Sequence, residues 1–309
     1  MSPPAPCKSH PSLSPFLPRP LCRLIPKLAP HVALASERGS WRGLGRGPRR
    51  GLKHLLWQGS EVAEAARQER RRLRAEYDDL RSKVFAHNRK AFPKEAFSLK
   101  KWLWACGLYD SRVIQLNRHT GLGNTPTWIP LVDMVNCIES QDKTFIQYDQ
   151  SLKSAVMYAD RPTAKGVQVF ETYGNKSNYE YLMYNGFVMR DNPNDCVYVS
   201  LPSARGSRQV CISAKQGLPR LVHQWAQMTS GTVGSKTKEA RLKAKDALVQ
   251  FLTQRLSLYP TTQEEDAAEL QSHLPESKVL AIEMRMHEKD TLSRLLQALE
   301  SGAIDCCGM

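Results

Sequence analysis

WIPLVDMVNC, residues 128–137, and KGVQVFETYGNKSNYEYLMYNGF, residues 165–187, are the stretches whose reading decides the fold. The first is a strand-like run over Thr127 to Leu131, followed by Asp133 and Asn136. The second opens on a Lys165–Gly166 turn. It alternates as a strand from Val167 to Tyr173 and ends on Tyr173–Gly174. Ser177 to Tyr184 then reads as a short helix closed by Asn185–Gly186–Phe187. A tyrosine placed where a strand meets a glycine turn can direct its hydroxyl into a cleft, although most such tyrosines are structural. Asn136 supplies an amide with both donor and acceptor capacity, suited to gripping a polar cofactor.

Upstream, Trp57 to Ala91 reads as a largely exposed helix with a sparse apolar stripe of Val62, Leu73, Tyr77 and Leu80. Ser98 to Leu116 is a second helix with Ser98 as N-cap. Its apolar residues recur at three- and four-residue spacing, as expected of a helix packed into a core. GLGN at residues 121–124 reads as a turn. Ser154 to Tyr158 and Cys196 to Leu201 read as further strands. From Ala214 the chain becomes helical: Leu218 to Met228, Thr237 to Leu258, Glu264 to Leu274 and Ser277 to Leu299 carry helical apolar spacing. A domain boundary is expected between Ser203 and Lys215.

The 309 residues carry a net charge of +14. Ten Lys and Arg and only one acid, Glu37, lie between Met1 and Lys53, so +9 of that charge precedes the folded part and about +5 remains for the body. Such a distribution argues against a nucleic-acid groove. The Pro-, Ser-, Arg- and Gly-rich tail over 1–51 reads as disordered. Two readings of it stand: an organelle transit peptide, or an N-terminus not native to the protein. No apolar run reaches the roughly 18 residues of a membrane span. Eight cysteines form no CxxC pair and no zinc-finger spacing, which favours a reduced intracellular compartment and no metal.

Ile129–Pro130–Leu131, Asp133–Met134 and Asn136, then Gly166, Gln168, Tyr173–Gly174, Ser177–Asn178, Glu180 and Gly186–Phe187, form an ordered set. It resembles the second half of the SET-domain methyltransferases, in the branch of the Rubisco large-subunit lysine methyltransferase and the actin-histidine methyltransferase. The flanks resemble that branch too, from WQGSEVAEAARQERRRLRAEYDDL and WACGLYDSR to YPTTQEED and MRMHEKDTL, so the likeness spans residues 52–299.

The resemblance implies an α+β fold: a partial SET domain with a helical insert over 52–205, then a helical Rubisco-methyltransferase-type substrate-binding domain over 206–309. It implies S-adenosyl-L-methionine as methyl donor and Tyr173 as the catalytic tyrosine. Asn136, Cys137, Tyr173 and Phe187 would contact the cofactor. Asn185 and Phe187 would line the target channel. Arg112 would face the substrate, or serve as an ordinary surface arginine.

The implied activity is protein-lysine N-methylation by a monomer acting on a protein, with no nucleic-acid or membrane partner. The expected location is cytoplasm or nucleus, or chloroplast if the tail is a transit peptide. Cys137 departs from the family pattern, which has His there. A first SET half is not recognisable. Ile114 stands where the histidine-methylating relative has an Asn, which favours lysine over histidine. A catalytically silent SET-like protein-binding module is the alternative. No CxCxxxxC run follows the block, so a zinc-stabilised post-SET arrangement is not expected.

Overall fold

The computed structural model describes residues 58–115, 126–137, 146–159, 162–203 and 206–304. The basic tail, Trp57, the GLGN turn, Cys7, Cys22, Cys306 and Cys307 lie outside them.

Helix α1 (Val62–Leu80) buries Val62, Tyr77 and Leu80 and turns the rest of its surface outward. It continues as a π turn over Arg81–Phe85 and stops there, short of the expected Ala91. The widened turn swings Phe85 inward, where its ring stacks on Phe92 at 5.0 Å and meets Phe97 at 5.4 Å. These rings close a small core with Tyr77 and Leu80 that a straight helix would not reach.

Helix α2 (Leu99–Arg112) starts as read: the Ser98 hydroxyl accepts from the Lys101 amide. It ends at Arg112, where Val113 turns extended. None of its residues is fully buried, so the expected core helix is instead half-covered along its whole length. Trp102 pins it to α1 by donating from Nε1 to the Leu73 carbonyl at 3.1 Å.

Short two-stranded ladders follow. Strand β1 (Ile114–Gln115) pairs antiparallel with β2 (Pro126–Thr127), β3 (Asn136–Cys137) runs parallel to β6 (Phe170–Glu171), and β4 (Ile146–Asp149) pairs antiparallel with β5 (Ser154–Met157). Two expected strands are much shorter than their patterns. The run over 127–131 breaks at Pro130 and at Leu131, whose φ is +76°. The run over 167–173 joins a ladder only at Phe170 and Glu171, while Val167 and Val169 are exposed. Strand β4 was not legible in the sequence.

Helix α3 (Asn178–Glu180) is closed by a capping box: the Ser177 hydroxyl accepts from the Glu180 amide while the Glu180 carboxylate accepts from the Ser177 amide. It runs on as a π turn, Tyr181–Asn185, that ends on Gly186 in the left-handed region, φ +82°.

The hairpin β7 (Val197–Ser203) and β8 (Gly206–Ile212) leads into α4 (Arg220–Thr229), α5 (Lys238–Leu256), α6 (Gln263–Glu269) and α7 (Glu276–Ser301). Val197, Val199, Leu201 and Ile212 share one core with Leu248, Leu252, Leu292, Leu295 and Leu299. The division expected at 205 and 206 therefore falls inside a hairpin whose two strands both pack on the helices. β8 is itself the strand overlooked between Ser203 and Lys215. Cys196 and Cys211 form a disulfide across this hairpin, with Cα atoms 5.6 Å apart, so the expectation of reduced thiols does not hold for that pair. Among the described residues no helix is long and apolar enough to cross a membrane.

The segment before α1 is tied to the helical part. Ser60 and Tyr259 each donate to the Glu288 carboxylate at 2.9 Å, and Arg255 donates to the Gly59 carbonyl at 3.0 Å. Burial pushes the Glu288 carboxyl up to about 7 from its ordinary 4.5, despite those donors. A raised folded-state value means that its stabilising contribution is present below 4.5 and is lost as pH rises through 7. Glu288→Gln should therefore gain on the parent protein by about 2–3 kcal/mol between pH 5 and pH 8. Urea unfolding of both proteins at each pH measures this, and parallel stability curves would refute it.

Candidate functional site

Tyr173 leaves β6 two residues after Glu171, at the turn completed by Gly174 with φ +92°. Its hydroxyl donates to the Val135 carbonyl at 2.8 Å, which ties the end of the second motif to the first. Burial, then the charge of Glu171, pushes the phenol up to about 12. The hydroxyl therefore keeps its proton at physiological pH and acts as a fixed, neutral hydrogen-bonding group.

Two further rings complete the wall. Phe187 stacks on Tyr181 at 4.9 Å and lies tilted to Tyr173 at 6.3 Å. Tyr181 donates to the Gly174 carbonyl at 2.9 Å, fixing the turn that carries Tyr173. Lys176 places Nζ 6.0 Å from the Tyr173 ring centre and 5.9 Å from that of Tyr181, and donates to Asn185 Oδ1 at 3.1 Å. Burial holds the Lys176 ammonium below its usual range. Asn185 in turn donates to the Ser111 carbonyl at 3.2 Å, so the π turn is braced against the end of α2.

The parallel β3–β6 register sets Asn136 beside Phe170 and Cys137 beside Glu171. Cys137 is half-buried; burial raises its thiol, against hydrogen bonding with the Tyr173 backbone and the Tyr181 side chain, so the sulfur stays protonated. Burial also pushes Glu171 up to about 7. Asn136 is exposed, and its amide makes no hydrogen bond among the described residues.

Arg112 does not point into open space. It donates to the Asp133 carbonyl at 2.7 Å, approaches Asp133 Oδ2 at 3.4 Å and touches the Met134 sulfur. Trp128 donates from Nε1 to the same Asp133 oxygen at 2.8 Å. The buried Asp133 is thus the centre of a brace that shapes the 128–135 loop, including the positive-φ Leu131. Arg112, read in the sequence either as facing substrate or as an ordinary surface arginine, reaches the site through that loop.

A second brace was not legible. Asn178, fully buried, uses its backbone N–H and its side-chain amide to bind both oxygens of Asp195, at 2.9 Å and 2.8 Å, and exchanges two bonds with Met189. Asn192 donates to the Lys176 carbonyl at 2.8 Å. Asp195 accepts from Cys196 and lies 3.7 Å from His287 on α7, joining the tyrosine turn to the helical part. The Ser177–Asn178 pair belonged to the motif set and was the available signal. Asp195, 17 residues on, carried none.

Of the residues expected at the site, Tyr173, Phe187, Asn185 and Cys137 fall in one connected cluster, Asn136 stands at its exposed edge, and Arg112 stands behind it. Lys176 and Tyr181 are the additions. No group of three or more His, Cys, Asp or Glu able to hold a metal occurs among the described residues.

Residues 210–292 match the family described as Rubisco LSMT substrate-binding. The chain is 34% identical over 106 residues to the ribosomal lysine N-methyltransferase set10 of Schizosaccharomyces pombe, a match covering 34% of this chain and 19% of that protein. It is 24% identical over 262 residues to the actin-histidine N-methyltransferase of Homo sapiens, covering 71% of this chain and 43% of the relative. The chain thus spans less than half the length of these curated relatives. Its fold superposes on the SET domain of LSMT bound to lysine and AdoHcy with a TM-score of 0.71, at 17% identity, over 93% of this chain and 76% of that one. The chain thus has the fold of the SET domain of LSMT, carries over 210–292 a segment of the Rubisco LSMT substrate-binding family, and is similar in sequence to lysine and histidine N-methyltransferases.

Proposed function

We propose that the chain is the tyrosine- and substrate-bearing part of an S-adenosylmethionine-dependent protein-lysine N-methyltransferase. The observation that carries this reading is the Tyr173 hydroxyl, neutral and fixed on the Val135 carbonyl beside two aromatic rings. We place the start of the substrate-binding domain upstream of Val197 rather than at 206, since β7 and the helices share a core.

The residues present fit one flank of the cofactor. Asn136 offers an unengaged, exposed amide, and the half-buried rings of Tyr173 and Phe187 offer apolar surface beside it. When bound, S-adenosylmethionine supplies an electrophilic methyl group. Tyr173 then orients the acceptor amine, because a fixed dipole costs no reorganisation as charge moves. Phe187 and Tyr181 exclude water from that amine. The acceptor must arrive as the free base, and Lys176 beside the channel helps by disfavouring a second ammonium there.

Lysine rather than histidine is proposed because Ile114 offers no hydrogen bond where the histidine-methylating relative has an amide. Incubation with a methyl-labelled donor and the acceptors for which the relatives are named, ribosomal proteins and actin, tests the reading. Label on lysine supports it, and label on histidine would reassign the target. No label, together with no calorimetric signal for donor binding, would leave the catalytically silent protein-binding module.

A further inference from the structure

A surface cavity of 430 Å³ lies away from Tyr173, between the end of α1, the π turn and the loop that leads to α2. Its floor is aromatic: the stacked Phe85 and Phe92, with Phe97 edge-on to Phe92 at 5.1 Å. Its rim is cationic. Arg81, Arg89 and Lys94 are all exposed, and none has an ion pair among the described residues, whereas the neighbouring surface of α1 and the π turn is laced with Arg–Glu and Lys–Asp pairs. Asp78 is the one acid in the lining. Two of the lining residues, Arg81 and Phe85, bound the π turn, a widening that recurs at functional sites.

We propose that this cavity docks an acidic segment carrying one aromatic or branched aliphatic side chain, on the protein that receives the methyl group. The reading rests on the proposed function for the identity of that protein. Charge complementarity selects the acidic segment: two guanidinium forks and an ammonium can each take a carboxylate. The aromatic floor selects the apolar side chain, which the cations close over as it leaves water.

The fold also sets a spacing. Helix α2 starts two residues after Phe97 and ends at Arg112, which braces the loop against which Tyr173 bonds. Its 14 residues span about 21 Å. An extended substrate crosses that distance in about six or seven residues, so the acidic segment should lie at least that far along the chain from the acceptor.

Fluorescence anisotropy with a labelled decapeptide of Glu and Asp around one central Phe, titrated with the full chain and no methyl donor, tests the proposal. Saturable binding is expected, weakening as salt rises. Arg81→Glu/Arg89→Glu/Lys94→Glu should weaken it at least about tenfold. Lys236→Glu/Lys238→Glu, the same kind of charge reversal on exposed lysines at the start of α5, should leave it within about twofold. Replacing the peptide's Phe by Ala should weaken binding several-fold. No saturable binding, equal losses in both variants, or an oligonucleotide of equal charge bound as tightly to the cavity would each overturn it. Because binding needs no donor, a chain that transfers methyl groups but ignores the peptide loses only the docking site. A chain that binds it without transferring loses the enzymatic reading instead.

Discussion

Tyr173→Phe should lower the rate of methyl transfer about a hundredfold while leaving KM for the acceptor protein nearly unchanged, a loss of about 2.7 kcal/mol of transition-state stabilisation. The ring stays, so the tilted contact with Phe187 survives; only the hydroxyl goes. The Val135 carbonyl loses its donor at 2.8 Å, a folding cost of about 1 kcal/mol that urea unfolding can subtract. The phenol is pushed up to about 12, so any transfer rate of the parent protein should show no inflection from tyrosine ionisation below about pH 10. The acceptor amine should govern the profile. A variant turning over within about threefold of the parent would remove the hydroxyl from the mechanism.

That prediction rests on residues that the sequence named through its family resemblance. Tyr173, Asn136, Cys137 and Phe187 sit in two stretches whose order and spacing are local, and a parallel ladder of only two residue pairs brings them together. What the sequence hid were the long-range braces. Arg112 and Asp133 are 21 residues apart, Asn178 and Asp195 are 17 apart, and Ser60 and Glu288 are 228 apart. Hydrogen bonds of that kind leave no periodicity, because each partner is a single polar residue in an otherwise ordinary segment. The helices were legible for the opposite reason. Ser98 stands where a cap is needed, and the apolar residues of α7 recur at helical spacing along one face. The strands failed where tertiary pairing overrides pattern: Val167 and Val169 alternate like a strand yet lie exposed. Strand β8, inside the expected boundary region, shows the same thing, since Gly206 and Ser207 carry little β propensity and only the pairing with β7 extends the strand to them.

Asp266→Asn should destabilise the protein by about 3–5 kcal/mol, the largest effect expected of a single substitution in the helical part. Asp266 is wholly buried on α6, with Arg285 Nη2 2.6 Å from Oδ1, Lys289 Nζ 2.8 Å from Oδ2 and the Thr261 hydroxyl 2.7 Å from Oδ1. Burial works to raise this carboxyl, but the hydrogen bonds from Arg285, Lys289 and Thr261 outweigh it and hold the group below its usual range. The asparagine keeps the shape and removes the charge. Two cations, 3% and 5% exposed, are then left facing a neutral amide, and Lys289 keeps only the Thr261 and Thr262 carbonyls. Glu269, 3.9 Å from Arg285, offers partial relief. Because the folded-state value is depressed, the parent's stabilisation by Asp266 is present above the unfolded value near 3.8 and is lost as pH falls below it. The gap between variant and parent should therefore narrow on acidification, which urea unfolding at pH 7 and pH 3 would measure. Asp266→Leu/Arg285→Met/Lys289→Leu should recover most of the loss, because the cost lies in stranded charge rather than in a missing contact. If that triple variant is as unstable as Asp266→Asn, the packing of α6 on α7 and not its electrostatics holds this corner together.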